Sequence, residues 1–156
     1  MLKKWKNKKL LKNEKGLTLV ELLAVIVILA IIAAIAVPAI GNIINKSKDR
    51  AILAEASNIL AGAKIAYIDG ACGKTAPDNK CDKDELKEFV DGIELGANDE
   101  VEYNETDKKW IISYARFSEI KTGGLKVAES GGNTSIDEAE LNKKLKSAGI
   151  DKEGTE

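Results

Sequence analysis

Nineteen consecutive residues, Leu22 to Ile40, carry no charged or hydrogen-bonding side chain. As a helix this run is about 28 Å long at roughly 1.5 Å per residue. That is close to the ~30 Å hydrocarbon thickness of a bilayer, so a membrane span is the default reading. Residues 1–16 hold seven lysines against one acid, Glu14, a net of +6. The rest of the 156-residue chain holds 17 basic and 24 acidic residues, a net of −7. Short lysine-rich flanks stay in the cytoplasm, which puts the N-terminus inside and the acidic body outside. The competing reading is a secretory signal peptide cut near Ala34 and Ala36, with an apolar core longer than the usual ~7–15 residues.

Composition narrows the chemistry. The chain has no histidine, which removes Ser-His-Asp and Cys-His nucleophile systems and the commonest general base. Its two cysteines fall short of the four Cys/His ligands of a structural zinc site. No glycine-rich phosphate loop follows a strand pattern. The expectation is a protein that is not an enzyme and carries no cofactor, catalytic residue or metal.

Glu21 stands at the edge of the apolar run, after Leu17, Thr18, Leu19 and Val20. A carboxylate next to hydrocarbon is costly, and such a residue is a functional hypothesis whose partner must be named. A helix that only anchored the chain would gain from Leu or Val here. The plainer alternative is that Glu21 snorkels to the headgroups.

The stretch Lys15-Gly16-Leu17-Thr18-Leu19-Val20-Glu21, followed at once by the apolar run, resembles the class III signal of type IV pilins and prepilin-like proteins. The likeness covers roughly residues 15–45. It implies that residues 1–16 are a leader cut by a prepilin peptidase between Gly16 and Leu17, and that Leu17 is then N-methylated. Leu17 departs mildly from the family's usual Phe. Gly16 leaves the backbone open to the peptidase. The resemblance also names a partner for Glu21: the Leu17 amine of a neighbouring subunit in a filament. A buried ion pair penalises any offset that leaves one charge alone, so Glu21 and Leu17 would set register, while lateral packing of Leu, Ile and Ala supplies cohesion.

Apolar residues recur at three- and four-residue spacing past the run, through Ile43, Ile44, Ile52, Ala56, Ile59, Leu60, Ala63 and Tyr67. They predict one helix from Leu17 to about Ile68, roughly 78 Å long. Pro38 removes a backbone donor and Gly41 adds freedom, so a kink or local melting is expected near 34–41. It is either an ordinary membrane-helix kink or a segment that unwinds on assembly. The expected organisation is a leader (1–16), a transmembrane and polymerisation helix (17–45), an amphipathic continuation (46–68) and a globular head (69–156).

In the head, Gly70, Gly73, Pro77 and Asn79 predict a loop. Cys72 and Cys81 bracket it, and outside the membrane they would form a disulfide; in a reducing compartment they would be free thiols. Asp82 with Glu85 reads as a capping box opening a short helix with Leu86, Phe89 and Val90 on one face, ended by Gly92. Val101 and Tyr103 alternate with polar residues, and Trp110–Tyr114 is the return strand after a turn at 104–108. Gly123-Gly124 suggests a second hairpin into Leu125–Ala128. Ser135 with Glu138 reads as a capping box for a last helix bearing Leu141, Leu145 and Ala148, followed by Gly149. Tyr103, Trp110, Ile112 and Tyr114 read as core packing rather than a binding site. The acids between Asp82 and Asp107 lack calcium-loop spacing and read as a solvated face. The fold class is α+β, a long helix under a small antiparallel sheet, which is the pilin fold the resemblance implies.

The leading expectation is a structural subunit of a type IV pilus, a fimbrial homopolymer on the cell surface serving adhesion, twitching motility or biofilm formation. The alternatives are a pseudopilin of a competence or type II secretion system, and a single-span anchored adhesive module that never polymerises. The resemblance implies membrane lipid before assembly, a prepilin peptidase, an inner-membrane platform protein and an assembly ATPase as partners. Direct nucleic-acid binding is not expected, since the body is net negative; Lys143, Lys144 and Lys146 read as a solvated helix face.

Overall fold

The computed structural model describes residues 18–73, 79–130 and 133–150. Its longest element is a 50-residue helix, α1 (Leu19–Ile68), with Pro38 inside it. The chain divides into two compact units, residues 1–40 and 41–156. In the first, the helix keeps its large apolar side chains exposed.

In the second unit the same helix becomes one-sided. Ile52, Leu53, Ala56, Ile59, Leu60, Gly62, Ala63 and Ala66 are buried, at the three- and four-residue steps that keep one stripe inward. Against this stripe lie β1 (Lys80–Cys81), α2 (Lys83–Leu86), β2 (Glu100–Asn104), β3 (Lys109–Ser113), β5 (Asn133–Asp137) and α3 (Glu138–Ser147), while β4 (Glu129–Ser130) pairs with β5. Among the described residues the five strands form one antiparallel sheet, ordered β1-β2-β3-β5-β4. The registers Val101↔Ile112 and Ile112↔Ile136 line up a buried apolar row. Tyr114, Phe117, Leu141 and Leu145 complete the core.

Local chemistry accounts for the boundaries. Asp82 accepts the Asp84 and Glu85 amides, and Glu85 returns a bond to the Asp82 amide, the expected capping box. Leu86 and Val90 are buried, and Gly92 takes a positive φ of 72°. The Asn104 side chain accepts the Thr106 and Asp107 amides, closing the β2–β3 turn. The disulfide joins Cys72 to Cys81 across nine residues and ties the end of α1 to β1.

Two expectations fail. Gly123-Gly124 does not turn a hairpin: Gly123–Leu125 is a 3-10 turn, and the hairpin is β4–β5. The amides of Lys121 and Thr122 are taken by the Asp49 carboxylate of α1 (3.1 and 2.8 Å), so that stretch satisfies its donors from a side chain instead of a strand partner. Ser135 does not cap α3, because it lies in β5 opposite Ser113. Asp137 ends the strand and accepts the Glu140 amide at 2.7 Å, two residues later. Both are good capping residues, and strand pairing decided between them.

Gly62 sits where α1 meets the segment after α2. A Cβ there would lie 2.6 Å from Val90 Cγ2 and 2.7 Å from the Phe89 carbonyl oxygen. Gly62→Ala is expected to lower head stability by about 1–3 kcal/mol despite better helix propensity, because a backbone carbonyl must move. Chemical denaturation of the full chain in detergent checks this. Cys72→Ser with Cys81→Ser removes a short loop closure and is expected to cost about 2.5–3 kcal/mol in the same assay.

Candidate functional site

The candidate site is the start of α1 and the apolar surface that follows. Thr18 and Glu21 form a reciprocal pair at the helix N-terminus. The Thr18 amide and hydroxyl donate to Glu21 Oε2 at 2.9 and 2.8 Å, and the Glu21 amide donates to Thr18 Oγ1 at 3.2 Å. This is a capping box, with the acid also facing the positive end of the helix dipole. The carboxylate is therefore held within its own chain by a neighbour three residues away. Thr18 is the residue that the reading of Glu21 left out, although Thr-x-x-Glu ahead of an apolar run is visible in the sequence.

Behind Glu21 the surface is apolar and open. Leu19 is 86% exposed, Val27 51%, Ile35 71% and Ile43 66%. The helix is long and apolar enough to cross a membrane. Pro38 lies within it and Gly41 has open space around its Cα. The helix runs through 34–41 without a break. Gly16 and Leu17, the expected cleavage and methylation residues, lie outside the described residues.

The head presents no comparable chemistry. Ile112 and Tyr114 are core residues. Tyr103 and Trp110 are half-buried and stack with Tyr67, ring centroids 4.8–5.7 Å apart; Lys64 lies 5.9 Å over the Trp110 ring and pairs with Glu138. Among the described residues no group of three or more His, Cys, Asp or Glu is placed to hold a metal. The Tyr114 hydroxyl donates to Glu55 at 2.8 Å. Burial, then that bond, pushes the Tyr114 phenol up to about 12, with Arg116 opposing.

Asp49 is the buried acid that locks α1 to the 121–122 turn. Burial pushes its pKa up, but the hydrogen bonds from Thr122 and Lys121 outweigh burial and hold it below the ordinary aspartate value. A depressed carboxylate stabilises the fold above its unfolded value of about 3.9, and that stabilisation is lost as pH falls through the lower folded value. Asp49→Asn is expected to lower the melting temperature near neutrality, with the gap to the parent closing at pH below about 3.9. Thermal melts across a pH series read this out.

Residues 11–37 match the family described as Prokaryotic N-terminal methylation motif. No curated protein and no solved structure matches the chain. The matched segment is the type IV pilin-like class III signal, and it spans Lys12, Lys15, Gly16, Glu21 and most of the apolar run. It points to a structural pilin-like or pseudopilin chain, a substrate of a prepilin peptidase that is polymerised into filaments.

Proposed function

We propose that this protein is the structural subunit of a type IV pilus, cut after Gly16, methylated on Leu17 and polymerised through α1. The observation that carries the reading is the contrast between a closed head core and a helix whose large apolar residues from Leu19 to Ile44 are about half exposed or more. That much apolar area needs cover. A bilayer covers it before assembly, with the head outside, and neighbouring copies of the same helix cover it afterwards.

Glu21 gives the packing its register. Before assembly the carboxylate rests on Thr18. In the filament it meets the amine that cleavage creates on Leu17 of an adjoining subunit, so the pair exists only after processing. Pro38 and Gly41 supply the place where the helix bends or unwinds as subunits pack. An inner-membrane platform protein and an assembly ATPase would drive polymerisation. A pseudopilin shares each of these features and differs in the length of what it builds.

Glu21→Val is expected to insert and be processed but to leave the cell surface without filaments by electron microscopy of sheared material. Gly16→Trp is expected to accumulate uncut precursor, read by N-terminal sequencing. Normal filaments from the Val variant would remove Glu21 from the mechanism. Short stubs in place of long fibres from the parent chain would assign the pseudopilin role.

A further inference from the structure

The exposed apolar surface of α1 stops at Ile44, and large exposed apolar residues do not recur on that helix until Ile65. Cations begin two residues later. Lys46, Lys48 and Arg50 are all exposed, about 3 to 9 Å further along the axis than Ile44. They do not form a single stripe. Lys46 and Arg50 line a cleft of about 280 Å³ with Thr122, Gly124, Leu125 and Ser147. Lys48 lines another of about 320 Å³ on α1, with Arg116 and Lys121. Exposed Lys121 is brought beside α1 by the Asp49 bonds to the 121–122 amides.

The collar carries more basic than acidic groups. Among the described residues Lys46, Lys48, Arg50 and Lys121 make no ion pair. Arg116 is engaged by Glu55 and Glu119. The Asp49 carboxylate is buried and bonded to the two amides, leaving Glu119 as the other acid lining the clefts. Four cations outside any ion pair among the described residues, Lys121 in longer-range attraction with Asp49, thus lie on and beside this stretch of α1.

The geometry points to a lipid-facing collar: Lys46, Lys48, Arg50 and Lys121 bind the headgroups of anionic phospholipids on the face of the membrane that carries the head. The inference rests on the reading of α1 as a membrane span. A headgroup layer is about 5–8 Å deep on each side of the hydrocarbon. With Ile43 and Ile44 at the hydrocarbon edge, Lys46 and Lys48 start about 3 and 6 Å past it, inside that layer, and Arg50, about 9 Å past it, reaches back on its flexible stem. Each such cation near an anionic surface contributes appreciably, and salt screens it. The collar would hold the waiting subunit at a fixed depth and release it when lateral helix packing takes over.

The test uses the full chain in vesicles of equimolar phosphatidylglycerol and phosphatidylcholine. The photo-cross-linker p-benzoylphenylalanine is placed at Ser47, exposed between the two lysines, and in a second sample at Val27. Mass spectrometry identifies each adduct. At Ser47, phosphatidylglycerol adducts are expected to exceed phosphatidylcholine adducts about fivefold, the effect of one cation at an anionic surface. The ratio is expected to fall to about one with K46Q/K48Q/R50Q/K121Q, at unchanged head melting temperature. Equal adducts in the parent, or adducts to a second subunit in place of lipid, would overturn the collar. So would lipid adducts at Val27 with none at Ser47. No lipid adduct at either position would instead overturn the membrane reading.

Discussion

One unbalanced surface organises this chain: among the described residues, the first half of α1 has no apolar partner. Burial of apolar area is the main favourable contribution to folding, and the head obtains its share by closing a sheet and a short helix over the stripe from Ile52 to Ala66. The residues from Leu19 to Ile44 obtain nothing comparable from the described residues of their own chain. Such a surface is tolerable only in hydrocarbon or against like helices. A class III signal on that same segment is consistent with passage from the first setting to the second.

Charge divides the roles along the chain. The lysines cluster before Gly16, and Glu21 is the acid admitted next to the apolar run. Its capping box with Thr18 gives it a local partner, so the unassembled helix does not carry a bare carboxylate. Beyond the run, the cations of residues 46–50 face outward while Asp49, among them, turns inward to organise the 121–122 turn. Neighbouring residues on one helix thus serve opposite ends, surface electrostatics and core architecture.

The head shows where pattern suffices and where it does not. Asp82 and Glu85 cap α2 as their spacing implies, and Val101 and Ile112 face the core from paired strands. Leu125 and Val127 also alternate like a strand and are buried, yet they belong to an irregular segment. The difference comes from Asp49, more than seventy residues away, which takes the nearby amides. Trp110 packs against the core as its pattern implies, though only half-buried, and joins Tyr67 and Tyr103 in an aromatic cluster.

The sequence by itself determined the long helix, the break between basic N-terminus and apolar run, the acid at Glu21 and the α+β class. These are set by composition and periodicity over contiguous residues, where a side chain's environment depends on its near neighbours. Tertiary structure alone decided that β5 joins β3, that Asp137 rather than Ser135 caps α3, that Gly62 must remain small, and that Lys121 comes to rest beside α1. Each of those depends on groups far apart in the chain meeting at van der Waals or hydrogen-bond distance, and local spacing carries no record of such meetings.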